Sequence, residues 1–330
     1  MVAWLVHIIF LHLYQIFMSL KIFKIKYMRR LTIKFFFFPC MFLMIIHTLI
    51  SFQAGIFAQA AITATTNKSQ DDAIHIQQQF QLIAHRGGVV DRGKNPENSI
   101  AALDEAIRRG YTGTEIDVRQ SKDGKLFLSH NETFSREYDS NRRGSDMTWE
   151  EIQALRPLRE GGKPPVSLED YCNHAKGKIK ELMVDIKIDE PSLEFYQTME
   201  RILKETGFLQ SSYFIGHGGY FKGKGPLITM LIREIDEFFK NDGEKTKDYY
   251  FLFAGVDEIN GKTIKWAQDN GIKIMCCANL PFRGEVPDDN IPNAGRNIQW
   301  LTTWNVTLFQ IDSDYDVFFR VSEINRVSQP

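Results

Sequence analysis

The chain has 330 residues with 40 basic and 41 acidic side chains, which gives a formal net charge of −1. Six of the basic residues and none of the acidic ones lie at positions 1–60, so the segment 61–330 carries a net charge of −7. This acidic balance argues against a nucleic-acid partner. The segment 61–330 is long enough for one barrel-sized domain with a sizeable core.

The N-terminal segment 1–60 has the pattern of an export signal rather than of a globular fold. Two arginines follow Met28, an apolar run comes next, and small residues end the pattern at Ala60. We therefore expect Met28 to be the true start and the protein to be exported, to the periplasm or the medium, after signal-peptide cleavage near Ala60. The alternative is an N-terminal membrane anchor, because residues 2–20 form a mostly apolar run long enough to span a membrane. Membrane association is expected only through this segment.

Residues 61–78 are rich in Thr, Gln, Asn and Asp and predict a flexible leader, whereas 79–330 predict one α/β domain in which strand-like runs alternate with helical patterns. The predicted strands are 82–85, 114–119, 126–130, 181–187, 213–217, 249–254, 273–278 and 308–312. The predicted helices are 99–109, 149–155, 193–205, 227–239, 262–270 and 296–304. Eight strands with intervening helices favour a closed parallel barrel over an open sheet.

Two further features of this domain are readable from the sequence. Residues 138–165 form a long insertion, which we expect to lie over the mouth of the barrel. Cys276 and Cys277 are adjacent in a strand-like run, and we interpret them as small core residues rather than as a disulfide or a metal site.

Two acidic residues, Glu115 and Asp117, are two positions apart in a predicted strand. Their side chains therefore point to the same face, with backbone positions about 6.6 Å apart. Two carboxylates held together would repel each other unless a proton or a cation lay between them, and a hard divalent ion is the natural partner. The alternative is a solvated strand face, but Ile116 and Val118 make the run apolar for an exposed edge.

Two histidines, His85 and His130, each end an apolar run. Gly87 and Gly88 follow soon after His85, so the backbone can turn sharply there and leave room for a ligand. A single histidine at a strand end is more often structural than catalytic. Two histidines beside an acidic pair instead predict proton transfer near neutral pH, with one accepting a proton and the other donating one.

Four short motifs together resemble the glycerophosphodiester phosphodiesterase family, of the phospholipase C-like phosphodiesterase type. They are His85-Arg86-Gly87, Pro96-Glu97-Asn98-Ser99, Glu115-Ile116-Asp117 and His130, with the turn Lys122-Asp123-Gly124 between the last two. The resemblance is most specific over residues 82–136. It implies a (β/α)8 TIM barrel in which two histidines act as general acid and base on a small-molecule phosphodiester held by one divalent cation, Ca²⁺ or Mg²⁺.

The resemblance also extends to the predicted strand that ends at Asp185 and Lys187. Asp185 matches the family's third metal ligand beside Glu115 and Asp117, although the family usually has Glu there. Arg86 and Lys187 would bind the substrate by offsetting phosphoryl charge, and Glu97 would orient Arg86 or the metal shell. The alternative for Asp185 and Lys187 is an ion pair that braces the barrel.

The resemblance implies hydrolysis of glycerophosphodiesters to an alcohol and glycerol 3-phosphate. The simplest assignment makes His85 the general base and His130 the general acid. Relatives that cleave choline from sphingolipids also carry Asp at the position of Asp185. A sphingomyelinase D-like or lysophospholipase D-like activity on a lipid or inositol phosphodiester is therefore the alternative. The sequence does not indicate an oligomeric state.

Other residues and other classes of protein fit the pattern less well. Asn131 stands where the family usually has Asp, and we expect activity to survive this change. His217, Asp312 and Asp314 end predicted strands and are weaker candidates for substrate contact. A catalytically inactive binding protein would lack the two histidines, and a glycoside hydrolase would use paired carboxylates without the His-Arg pair.

Overall fold

The computed structural model describes residues 76–90, 95–279 and 290–320. The predicted signal peptide or anchor and the predicted leader up to residue 75 lie outside the described residues. From Ile76 onwards the chain is attached to the domain, because its amide donates to the carbonyl of Arg109 (3.2 Å). Among the helices in the described ranges, none is long and apolar enough to cross a membrane.

In the described ranges, nine strands form one sheet in the order β1-β9-β8-β7-β6-β5-β4-β2-β3. They are β1 Gln81–Ala84, β2 Gly113–Gln120, β3 Leu126–Leu128, β4 Glu181–Ile186, β5 Ser212–Ile215, β6 Leu227–Met230, β7 Tyr250–Gly255, β8 Lys273–Ala278 and β9 Leu308–Ile311. Because β1 also pairs with β2, the sheet closes into a ring of eight parallel strands. The predicted (β/α)8 barrel is confirmed.

Helices occupy most of the connections between the parallel strands. They are α1 Ile100–Arg109, α2 Trp149–Gln153, α3 Leu168–Ala175, α4 Leu193–Thr206, α5 Ile235–Asp242, α6 Thr246–Tyr249, α7 Gly261–Asp269 and α8 Asn290–Thr303. Serine hydroxyls cap several of them, and Ser99 accepts from the amide of Ala102 at the start of α1. Gly110 ends α1 in the left-handed conformation, which returns the chain to the barrel at β2.

Two of the predicted elements were wrong in detail. The run at 126–130 was predicted as a barrel strand, but β3 pairs antiparallel with β2 and lies outside the ring. The run at 227–239 was predicted as one helix, but it contains the barrel strand β6 followed by α5. A short continuous apolar run fits a buried strand and a buried helix equally well by periodicity, which explains the error at 227–239. At 126–130 a strand was expected correctly, but its neighbours in the sheet are not encoded in the local pattern.

The barrel lumen is filled by apolar side chains, and further apolar layers lie between strands and helices. The lumen cluster comprises Ile83, Met183, Tyr213, Phe251, Met275 and Leu308. Of the two cysteines interpreted as core residues, Cys276 is buried outside the lumen, whereas Cys277 is only partly buried. The candidate site residues lie at the opposite end from the start of the strands, at their carboxyl ends, where sites in this fold lie.

The insertion at 138–165 packs around a small core of its own. This core joins Phe127 of β3 to Phe134, Met147, Ile152 and Leu155. Just before the insertion, Arg136 forms an ion pair with Glu97. The chain that enters the insertion is thereby attached to the loop before α1.

Candidate active site

Three carboxylates converge at the carboxyl ends of two neighbouring strands. Glu115 and Asp117 lie on β2, and Asp185 lies on β4 directly across from Asp117 in the strand pairing. One oxygen of each carboxylate lies within 4.8 Å of the others. Glu115 and Asp117 are each 1% exposed, so these charges face one another and not bulk water. The structure thus brings together the three residues predicted as metal ligands.

Burial makes it costly for all three acids to be ionised at once. Burial, with the charge of Asp117, raises the pKa of Glu115 to about 8. Burial also raises the pKa of Asp185. At Asp117 burial acts in the same direction, but the ammonium of Lys187, the charge of His130 and the hydrogen bond from Asn98 together outweigh it and hold the pKa below its usual range. Without a bound cation, therefore, the Glu115 carboxyl gives up its proton less readily than an exposed glutamate does.

The donor set fits a hard divalent cation, which prefers carboxylate oxygens. Within the described residues, Asp117 Oδ1 is buried and accepts no hydrogen bond. It lies 3.2 Å from Lys187 Nζ, which is also 2.5 Å from Asp185 Oδ2. The ammonium thus contacts two of the three carboxylates, so the contacts alone are compatible with a metal site and with the bracing ion pair.

His85 follows β1 and contacts a carboxylate that follows the neighbouring strand β9. Its Nδ1 donates to Asp312 Oδ1 (2.7 Å), which leaves Nε2 4.0 Å from Glu115 Oε2. Asp312 was a weaker candidate for substrate contact. In the structure its carboxylate contacts His85. Burial would lower the pKa of His85, but the hydrogen bond to Asp312 and the charge of Glu115 raise it above its usual value.

His130 follows β3 and has a similar arrangement with a neutral partner. Its Nδ1 donates to Asn131 Oδ1 (3.0 Å), and its Nε2 lies 3.4 Å from Arg86 Nη2. Asn131 therefore supplies an acceptor as an aspartate would. Burial lowers the pKa of His130, and the cations of Arg86 and Lys187 act in the same direction.

These two shifts bear on which histidine accepts a proton. Without a cation, His85 holds its proton more readily than His130, which is the reverse of the simplest assignment. A cation bound to Glu115 would offset the charge that raises the pKa of His85. The assignment of acid and base therefore stays a prediction.

Hydrogen bonds connect the turn after β1, which contains Arg86, to Asn98 and from there to the acidic pair on β2. Arg86 and Asn98 both adopt the left-handed backbone conformation, with φ of 56° and 53°. The amide of Asn98 donates to the carbonyl of Arg86 (2.6 Å), and a Cβ on Gly87 would lie 2.5 Å from Asn98 Cα. The Asn98 side chain then donates to Asp117 Oδ2 (2.8 Å), so the strained turn fixes a carboxylate.

The predicted substrate-binding residues also lie at this edge of the barrel. Arg86 donates from its backbone amide to Glu115 Oε2 (2.7 Å) and from Nη1 to Glu97 Oε2 (2.8 Å). Glu97 therefore contacts Arg86, and its expected role in orienting that side chain stays a prediction. His217 is exposed, and its carbonyl accepts from the hydroxyl of Tyr196 (2.8 Å). Asp314 is exposed as well.

Comparisons of the amino-acid sequence with known proteins match this chain to one family. The profile of the glycerophosphoryl diester phosphodiesterase family matches residues 85–209. Human glycerophosphodiester phosphodiesterase 1 is 41% identical over 78 residues, which cover 24% of this chain and 23% of that protein. A glycerophosphodiester phosphodiesterase from Bacillus altitudinis is 36% identical over 173 residues, which cover 49% of this chain and 69% of that protein.

Solved structures support the same fold. A phosphodiesterase from Oleispira antarctica, solved in complex with the product sn-glycerol-3-phosphate, superposes with a TM-score of 0.54 at 18% identity, over 72% of this chain and 93% of that chain. The sequence matches to the mammalian relatives span less than a quarter of the length of those proteins. The Bacillus altitudinis match covers more than two thirds of that enzyme, and the family profile begins at the first of the four motifs. The chain therefore belongs to the glycerophosphodiester phosphodiesterase family.

Proposed function

We propose that this protein is a phosphoric diester hydrolase that converts glycerophosphodiesters to an alcohol and glycerol 3-phosphate. The observation that carries the proposal is the placement of two histidines beside a buried carboxylate triad. Each histidine has Nδ1 bound to a side-chain oxygen, so Nε2 is the ring nitrogen that would exchange a proton with a substrate. The names of the relatives, and the product bound in the Oleispira antarctica structure, support the same reaction.

In the mechanism we propose, the cations of Arg86 and Lys187 bind phosphoryl oxygens and offset the charge that builds there. One histidine takes the proton of the attacking hydroxyl or water as the new P–O bond forms. The other gives a proton to the alcohol oxygen as its bond to phosphorus breaks. A divalent cation, Ca²⁺ or Mg²⁺, held by Glu115, Asp117 and Asp185 would supply Lewis-acid polarisation of a phosphoryl oxygen. If the glycerol 2-hydroxyl attacks first, water then opens a cyclic phosphate.

A substrate screen tests this proposal. Purified protein with Ca²⁺ or Mg²⁺ is incubated with glycerophosphocholine, glycerophosphoethanolamine and glycerophosphoinositol, and released glycerol 3-phosphate is measured. We expect glycerol 3-phosphate from at least one of them. Bis(p-nitrophenyl) phosphate and chromogenic glycosides are run in parallel. Cleavage of the glycosides alone would favour a glycoside hydrolase, and binding without turnover of any compound would favour an inactive binding protein.

Asp185, in the place of the family's usual Glu, favours a second candidate function. Under that alternative the protein acts on a lipid phosphodiester in a sphingomyelinase D-like or lysophospholipase D-like reaction. The same screen includes sphingomyelin and lysophosphatidylcholine, with released choline as the readout. Choline release from these lipids without glycerol 3-phosphate from the water-soluble diesters would replace the first proposal by the second.

The raised pKa of Glu115 predicts a pH dependence of stability without metal. Between its usual value of 4.5 and about 8, the folded protein holds a proton on Glu115 that the unfolded chain has lost. The free energy of unfolding should therefore fall as pH rises through this window. We expect the Tm of dialysed, chelator-treated protein to drop from pH 5 to pH 8, and excess Ca²⁺ or Mg²⁺ to oppose the drop.

Glu115→Gln provides the control for this prediction, because an amide does not titrate. The variant should show a clearly smaller drop in Tm over the same pH range, and added cation should change its Tm less. An unchanged pH dependence in Glu115→Gln would assign the titration to another group.

A further inference from the structure

Arg119 is the residue that lies beyond the acidic pair on the same side of β2. Side chains two positions apart in a strand share a face, so Glu115, Asp117 and Arg119 follow one another towards the carboxyl end of β2. The guanidinium of Arg119 is partly buried. It donates from Nη1 to the backbone carbonyl of Lys187 (2.7 Å) and from Nη2 to that of His130 (2.9 Å).

These two carbonyls belong to segments on opposite sides of β2. In the sheet, β2 lies between β4 and β3, and Lys187 follows β4 while His130 comes soon after β3. Ordinary backbone bonds to β2 anchor both segments, since Lys187 donates to Val118 (3.0 Å) and Ser129 donates to Asp117 (3.0 Å). The guanidinium of Arg119 then spans the end of β2 and binds the carbonyls of Lys187 and His130.

The environment of Arg119 indicates a role beyond simple stabilisation. Within the described part of the chain, its Nε is buried and has no hydrogen-bond partner. The side chain is also partly buried, so the guanidinium has lost part of its hydration. Both features oppose folding, and an apolar side chain of similar size would avoid them. These costs are offset because the planar guanidinium of Arg119 donates hydrogen bonds to two carbonyls at once.

We propose that Arg119 is a positioning residue for phosphodiester hydrolysis, holding His130 and Lys187 at fixed places beside the carboxylate triad. The inference rests on the proposed function. Arg119 acts through the backbone of these two residues and needs no contact with the substrate. Its loss should therefore displace the His130 imidazole and the Lys187 ammonium while leaving Glu115, Asp117 and Asp185 on their strands.

The kinetic test compares Arg119→Ala and Arg119→Lys with Arg142→Ala. Arg142 is a matched control because it also donates to a backbone carbonyl, that of Asp146 (2.8 Å), but is exposed on the insertion. We expect Arg119→Ala to lower kcat about 10- to 100-fold with KM within about threefold, since a misplacement of about 1 Å can cost roughly 10²-fold. Arg119→Lys reaches one carbonyl at most and should lie between Arg119→Ala and the wild type.

Two readouts separate positioning from a role in stability alone. Millimolar guanidinium should restore part of the lost kcat in Arg119→Ala and leave Arg142→Ala unaffected. Cation affinity, measured from the rise in Tm with added Ca²⁺ or Mg²⁺, should stay within about threefold of wild type, because the ligands are untouched. A loss of kcat that only follows Tm, without guanidinium rescue, would overturn the proposal, as would wild-type kcat in folded Arg119→Ala.

A third readout does not depend on activity. In protein with ¹⁵N-labelled histidine, the imidazole signal of His130 is assigned as the one that disappears in His130→Ala. This signal should shift in Arg119→Ala and stay in place in Arg142→Ala, and an unmoved signal would overturn the proposal. If the wild-type chain cleaves no phosphodiester, the proposed function fails, while this comparison still decides whether Arg119 positions His130.

Discussion

Replacing either His85 or His130 with alanine is expected to lower kcat by about 10²- to 10⁴-fold, the usual contribution of general acid or base catalysis. The loss should fall on kcat because, in the proposed mechanism, each imidazole exchanges a proton with the substrate through Nε2. Steady-state rates with the best substrate from the screen measure the effect. The rise in Tm with added cation should persist in both variants, which shows that the carboxylate triad remains folded.

His174 offers a matched control for the histidine variants. Its Nε2 lies 2.6 Å from Asp104 Oδ1, so it repeats the histidine-carboxylate contact of His85 and Asp312, but on the outer helices. His174→Ala should keep kcat within about twofold of wild type, as expected of a surface substitution. Near-normal turnover in both His85→Ala and His130→Ala would reject acid-base catalysis by these residues.

Removal of divalent cations is expected to abolish activity and to lower Tm in the same sample. Three ionised carboxylates so close together repel one another unless a cation lies between them. Cation binding should therefore stabilise the folded state. Asp185→Asn should weaken cation affinity by about tenfold or more, because changes to groups that only support metal ligands already cost about 10- to 100-fold. Calorimetric titration with Ca²⁺ and with Mg²⁺ measures this loss and compares the two ions.

Lys187→Met distinguishes the metal site from the bracing ion pair. The Lys187 ammonium contacts Asp117 and Asp185, so it competes with a bound cation for their oxygens. If the triad is a metal site, Lys187→Met should retain or gain cation affinity but lose turnover, whereas Asp185→Asn loses affinity. If the pair only braces the barrel, both variants should lose stability with unchanged cation dependence. Full activity after exhaustive chelation, with no cation found by elemental analysis, would reject the metal site.

Several parts of the site could be predicted because they depend on local rules. The alternation of side chains along a strand places Glu115 and Asp117 on one face, and the same rule places Asp185 and Lys187 together. The end of an apolar run marks a strand end, where His85 and His130 were expected. The helix predicted from Ser99 begins at the next residue with Ser99 as its cap, and Glu97 contacts Arg86, whereas the hydrogen bond from Asn98 to Asp117 was not predicted.

Other parts were decided by which strands become neighbours. Asp312 was predicted at a strand end, but its hydrogen bond to His85 exists because β9 pairs with β1 when the barrel closes. Arg119 sits in the predicted strand, yet nothing in its local sequence shows that it spans the carbonyls of Lys187 and His130. These contacts join residues far apart in the chain, so no local pattern of residue types encodes them.

The sequence by itself therefore determined the fold class, the family motifs and the shared faces of Glu115 with Asp117 and of Asp185 with Lys187. Only the tertiary structure decided the barrel membership of single strands, with Leu227–Met230 inside the ring and Leu126–Leu128 outside it. It alone paired Asp312 with His85 and set the Lys187 ammonium between two carboxylates. The physical reason is that periodicity fixes the direction of a side chain, whereas its partner depends on strand order, closure and burial across the whole barrel.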